Sequence, residues 1–306
     1  MGLAVGVFVA SLTFLAGGVA NAATVSCGGM ASTIVGSPAS DRLVGTPGRD
    51  VIWAGRGRDV IVAGGGHDVI CAGPDGDRVR ADQGDDLVLA GSGQDLVVGG
   101  DGADRIRGFT GHDRLFGNIG GDAIHAGGGS DRVQDGPGAD VVNGGAGRDT
   151  TVRGGPGDDV IRGGRGNDRL VDAAGDDVLH GQGGNDVVEL GPGTDELIGG
   201  TGNDAVSALT HRVEPRAVII DLAAGEAQSS SIGLDAIAQF EHALGTDQDD
   251  TLIGNSANNI LLGFGGDDYI EGQDGDDRLD GFDGIDFLDG GNGTDDCVGE
   301  TVLNCE

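Results

Sequence analysis

The sequence predicts an all-β solenoid of short parallel strands, and three observations predict it. Glycine supplies 65 of the 306 residues, about three times its usual share. Aspartate returns every nine residues along most of the chain, and an aliphatic residue follows two places after nearly every one of them. A Gly-rich, acidic chain with only 3% aromatics normally stays unfolded, for want of apolar surface to bury. Here 37% of residues are hydrophobic and they keep a fixed period, which argues for order.

The first element is a targeting segment. Leu3 to Val19 is apolar and uncharged, and Ala20-Asn21-Ala22 follows as a small-x-small cleavage pattern. Residues 1–22 read as a signal peptide whose positive end is only the terminal amine. The alternative is a membrane helix, disfavoured because the stretch is short, Gly-containing and followed at once by the cleavage pattern. The expectation is a secreted, extracellular or cell-surface protein with no membrane insertion after cleavage. Four cysteines follow, Cys27, Cys71, Cys297 and Cys305. An even number in an exported chain implies two disulfides, with three pairings open. No CxxC occurs, so zinc is a poor reading.

The repeats come next. Aspartate stands at Asp41, Asp50, Asp59, Asp68, Asp77, Asp86, Asp95, Asp104, Asp113, Asp122, Asp131, Asp140 and Asp149. One extra residue enters near Arg153, and the period resumes at Asp159, Asp168, Asp177, Asp186, Asp195 and Asp204. After a gap it returns at Asp250, Asn259, Asp268, Asp277, Asp286 and Asp295. With the aspartate at position six of each unit, position four is Gly in 21 of 25 units. Position eight is Ile, Leu or Val in 23 of the 25, Thr151 and Cys297 being the exceptions. The first six positions read as a Gly-rich turn, where positive φ and close backbone approach are tolerated. The last three read as a very short strand with one inward side chain. Glycine this frequent excludes helices. Units of this kind bury their apolar residue only by stacking, which makes a solenoid.

Charge then selects the partner. The chain carries 51 acidic and 18 basic residues, a net charge of −33. Nucleic acid is disfavoured, because phosphate binding needs clustered basic residues. Stacked aspartates repel one another, and one aliphatic side chain per nine residues is little burial to offset that. A multivalent cation is implied. Carboxylates and free turn carbonyls are hard oxygen ligands that suit calcium, whereas magnesium demands a tight octahedron and keeps its waters.

Units such as Gly163-Gly164-Arg165-Gly166-Asn167-Asp168-Arg169-Leu170-Val171 resemble the RTX nonapeptide, Gly-Gly-x-Gly-x-Asp-x-U-x with U aliphatic, a calcium-binding β-helix repeat. The resemblance implies a right-handed parallel β-roll in which two units form one 18-residue coil. It implies calcium at many turns, with all the position-six aspartates above as ligands beside turn carbonyls. Asp41 and Asp59 would share one ion, and Asp50 and Asp68 another on the opposite edge. Units with Asp75, Gln248, Ala257 or Asn259 depart from the pattern. The chain differs from typical RTX exporters in its N-terminal signal and its cysteines. Its ends are similar to those of secreted calcium-binding repeat proteins of Gram-positive, high-GC bacteria. A roll also restricts the cysteines: Cys27 and Cys297 would lie many coils apart, which leaves Cys27–Cys71 and Cys297–Cys305.

The expected organisation is 1–22 signal peptide, 23–35 N-terminal cap, 36–207 first repeat block, 208–244 non-repeat insert, 245–298 second repeat block and 299–306 C-terminal cap. The insert resembles one found within RTX arrays and is expected to pack on the roll as a strand, a turn and a second strand or short helix. Val51, Trp53, Val69, Cys71, Leu87 and Leu89 should share an outer face that residues 24–35 cover. Arg78 with Arg80, and Arg105 with Arg107, form outward pairs, read as local counter-charges or an acidic-glycan site. The chain contains no HExxH, no GxSxG and no P-loop, so no catalytic residue is assigned. The expected function is a non-enzymatic, secreted calcium-binding protein that folds on calcium. The alternative is a calcium-dependent adhesive or glycan-binding surface protein.

Overall fold

The computed structural model describes residues 25–171, 173–209 and 217–305. The expected signal peptide lies outside the described residues. Every element among them is a strand, and none of their segments is a helix long and apolar enough to cross a membrane.

Consecutive units alternate between two sheets. Strand Val60–Gly65 pairs in parallel with Arg42–Val44 and Arg78–Gln83 on either side. The next strand, Val69–Pro74, pairs in parallel with Val51–Trp53 and Leu87–Ser92 in the other sheet. Partners therefore sit 18 residues apart, such as Arg78 with Leu96, and two units make one coil. The first sheet is a 14-stranded ladder from Arg42–Val44 to Asp296–Val298. The second runs from Ile34–Val35 to Thr301–Leu303. Between them lies one continuous core of position-eight residues, from Ile52 and Ile61 to Leu279 and Leu288.

Many strands are longer than the sequence implies. They span six residues, taking in positions one to three of the following unit. Strand alternation explains this. With position eight inward, position one is inward too, so Ala63, Ala72, Ala81 and Ala90 are buried beside the aliphatics. Gly and Ala fill most position-one sites between the two facing sheets, with Leu190 and Asp135 the larger side chains buried there.

The extra residue is placed differently from the expectation. Arg132 pairs with Thr151, and Val133 with Val152, so the surplus residue is Thr150, directly after Asp149. Val152 is then fully buried, and Thr151 is no exception to the aliphatic rule.

The insert is also placed differently. It does not pack on the roll but is woven into it. Gly233–Ala238 continues the second sheet from Glu196–Thr201, and His242–Leu244 continues the first from Ala205–Ser207. Glu226–Ser229 pairs antiparallel with Gly233–Ala238 and with Ile219–Asp221, which passes the ladder on to Thr251–Ile253. The second sheet gains two strands here that the first lacks.

Both ends are closed covalently. Cys27 is bonded to Cys71 and Cys297 to Cys305. Cys27, Val51 and Val69 form a small separate core with Met30, Trp53, Cys71 and Leu87 packed on it. The N-terminal segment thus covers the apolar outer face of the first coils.

Candidate metal centre

The turns are built around glycine at position four. Gly84 has φ +120° and Gly102 φ +134°, a region glycine enters without a Cβ penalty. Space excludes a side chain as well: a Cβ on Gly84 would overlap the Gly66 carbonyl oxygen of the preceding coil, and one on Gly102 that of Gly84. The turns therefore stack with their carbonyls superposed.

Position six then forms two columns. The backbone N–H of each aspartate donates to the Oδ1 of the aspartate one coil later. One column runs from Asp41 through Asp59, Asp77, Asp95, Asp113 and Asp131, with spacings of 2.8–2.9 Å. The other runs from Asp50 through Asp68, Asp86, Asp104 and Asp122 to Asp140, at 2.5–2.9 Å. Neither breaks at the extra residue: Asp140 reaches Asp159 and Asp149 reaches Asp168 at 2.9 and 2.8 Å. The columns continue through Asp168, Asp177, Asp186, Asp195 and Asp204, and after the insert through Asp250, Asp268, Asp277, Asp286 and Asp295. The pairing of aspartates one coil apart, on two edges, is the arrangement the repeats imply. Asn259 keeps its place, its N–H donating to Asp277 at 2.8 Å and its Nδ2 to the Glu241 carbonyl at 2.7 Å.

The second oxygen is the telling one. In twenty of these aspartates, from Asp59 to Asp295, the buried Oδ2 has no hydrogen-bond partner. Buried polar atoms are ordinarily paired. Burial pushes the carboxyls of Asp59, Asp68, Asp95, Asp131, Asp140 and Asp168 up, and only in part do the backbone N–H bonds hold them down. Asp77, Asp86, Asp104, Asp113, Asp149, Asp159 and Asp268 are raised to about 7, with neighbouring column aspartates adding to the rise. Asp122, Asp186, Asp204 and Asp277 are raised to about 6 by the same cause. Two files of unpaired carboxylate oxygens beside stacked carbonyls fit a hard cation that takes six to eight oxygen ligands.

Three aspartates differ. Asp41, Asp50 and Asp250 open their runs, and a hydroxyl residue at position two satisfies each Oδ2. Ser37 donates from its N–H and Oγ at 2.6 and 2.9 Å, Thr46 at 2.7 and 2.9 Å, and Thr246 at 2.5 and 3.0 Å. Asn255 N–H does the same for Asn259 at 2.7 Å. These first units close on themselves with protein groups.

Four acidic residues outside the repeat pattern complete the columns. Asp195 donates its N–H to Asp235 at 3.1 Å, Asp204 to Glu241 at 2.8 Å, and Asp286 to Glu300 at 3.1 Å. The insert and the C-terminal segment thus supply carboxylates where the nine-residue period stops. Asp135 is the fourth. It occupies inward position one, fully buried, with Oδ1 held by Gly136 N–H at 2.7 Å and Oδ2 unpaired. Desolvation, with Asp159 beside it, raises it to about 8. Asp135, Asp140 and Asp159 bring three carboxylates together within 4.8 Å. An acidic residue at a position that is mostly Gly or Ala was the available signal for Asp135. Nothing in the period announces Asp235, Glu241 or Glu300.

No curated protein matches the chain. The family model described as the RTX calcium-binding nonapeptide repeat matches residues 35–70, 72–106, 89–124, 116–150, 151–172, 172–206, 244–279 and 271–301. Those matches cover both repeat blocks and most of the chain, and their repeats bind calcium. With two files of buried aspartate in stacked glycine turns, the chain belongs to the RTX calcium-binding nonapeptide-repeat family.

Proposed function

We propose that this calcium-binding repeat protein is exported, is non-enzymatic, and forms its roll as calcium fills the turns. One observation carries the reading: twenty buried aspartates in two columns each keep an oxygen with no protein partner. Without cations those carboxylates must either hold protons or repel along the columns, and a site absent from the unfolded chain makes metal affinity part of folding free energy. The ligands are the position-six carboxylates of successive coils with the turn carbonyls, and Asp235 extends one file. Calcium supplies the positive charge between them. Export is supported by the apolar segment ending in Ala20-Asn21-Ala22 and by two disulfides, which persist in oxidising compartments. Extracellular calcium modules bind at about 10⁻⁴–10⁻³ M.

The test is a calcium titration of chelator-stripped mature protein followed by far-UV circular dichroism, with magnesium as control. A cooperative gain of β signal with calcium alone is expected. A spectrum that chelator leaves unchanged contradicts the coupling of folding to metal.

A further inference from the structure

The two edges of the roll differ in outer charge. Beside the Asp50 column, position five holds Arg49 and His67 and then three acids, Asp85, Asp158 and Asp176. Beside the Asp41 column, position five carries no acid from Ser40 to Asn203, and Arg58, Gln94, His112 and Ser130 stand there. Next to that row, position seven of the first sheet gives Arg78, Leu96, Arg114 and Arg132 in parallel register. These residues line a groove of about 780 Å³ spanning six consecutive coils. At about 4.8 Å per coil it is roughly 24 Å long.

Arg58, Arg78, Arg114 and Arg132 are exposed and make no ion pair among the described residues. Arg114 and Arg132 are direct ladder neighbours, and like charges side by side destabilise a sheet. In a chain with 51 acidic residues, four arginines without an ion-pair partner on one groove leave their guanidiniums open to an added anion. The exposed rim carboxylate, Asp75, accepts the Gly57 N–H on Oδ2 at 3.1 Å and forms no ion pair with these arginines. The other aspartates of the groove, Asp77, Asp95 and Asp113, are buried in the column.

We propose that this groove binds a linear acidic polysaccharide bearing carboxylated sugars. The guanidinium fork matches a carboxylate with two parallel hydrogen bonds. Gln94, Ser130 and His112, whose Nδ1 already accepts the Ser130 N–H at 2.8 Å, face sugar hydroxyls between the charges. A regular, straight ladder fits a repeating polymer. Nucleic acid fits less well, since the groove offers no Phe, Tyr or Trp ring for a base and the net charge of −33 opposes a denser polyanion. The inference rests on the calcium reading above for one element: cations in the columns lower the field that repels an acidic ligand.

The test uses mature protein and a glucuronate-bearing hyaluronan oligosaccharide, with binding measured by calorimetry and the fold followed by circular dichroism on the same samples. A neutral chitin oligosaccharide and duplex DNA are the comparators. The expected result is calcium-dependent binding of the charged sugar alone, weakened by added salt. Arg114→Gln with Arg132→Gln should weaken it about tenfold or more, and Arg105→Gln with Arg107→Gln on the other sheet should leave it unchanged. Folded, calcium-loaded protein that ignores hyaluronan overturns the proposal. So does equal affinity for the neutral sugar, tighter binding of DNA through the same arginines, or a double variant that binds as before. A chain that calcium does not fold refutes the calcium reading instead, and circular dichroism separates the two failures.

Discussion

At the scale of single residues, one position in the repeat can be indispensable in one unit and replaceable in another. Gly84 and Gly48 both occupy position four. Gly84 sits at φ +120° over the Gly66 carbonyl, whereas a Cβ on Gly48 would meet nothing nearer than the Thr46 hydroxyl at 4.0 Å. Gly84→Ala should therefore destabilise the calcium-loaded protein by about 3 kcal/mol, and Gly48→Ala should change it by less than about 0.5 kcal/mol. Calcium-saturated urea denaturation measures both, and equal effects would contradict the stacked-turn geometry. The aspartates divide in the same way. Asp104→Asn keeps an acceptor for the Asp86 N–H but removes the charge from an unpaired oxygen, so the calcium midpoint should rise. Asp50→Asn should raise it less, because Thr46 already serves that Oδ2. A titration of the two variants checks the order.

At the scale of elements, the nine-residue period makes the short strands and the inward aliphatics legible, and the resemblance to the RTX repeat adds the 18-residue coil that sets the aspartates in two columns. The period does so because each unit contacts only its neighbours, so local pattern and fold are nearly the same information. What the period misses lies where it fails. Asp235 and Glu241 join the columns across separations of 40 and 37 residues, and only strand pairing brings the insert back into register. Thr150 escapes the sequence pattern because an added residue can sit anywhere between two turns, and cross-strand register alone locates it. The caps follow the same nearest-neighbour logic. The Cys27–Cys71 bond closes a separation of 44 residues, which is worth about 3 kcal/mol or more. Cys27→Ser with Cys71→Ser should expose Val51 and Val69 and speed hydrogen exchange in the first coils. Protection beyond residue 100 should stay as it was. Loss of protection throughout would mean that the roll unfolds as one unit.

At the scale of the whole molecule, protons and calcium compete for the same oxygens. Asp77, Asp86, Asp104 and Asp113 are raised to about 7 in the roll, against an ordinary value of 3.8. A raised acid binds its proton more tightly in the folded state than in the unfolded one. Its contribution is therefore present below about pH 4 and is lost as pH rises toward 7. Metal-free protein should gain β signal as pH falls from 8 to 5, and calcium should act more weakly at the lower pH. A metal-free spectrum that does not move over that range would contradict the desolvation of the columns. Calcium between the column carboxylates fixes where the ions lie. The most direct measurement is a crystal structure grown with calcium and phased at a wavelength where calcium scatters anomalously. The account predicts two files of peaks, one along each edge, each peak between position-six carboxylates one coil apart and including the Asp140–Asp159 step. Peaks confined to outer carboxylates such as Asp158 and Asp176, with the column oxygens unliganded, would contradict it.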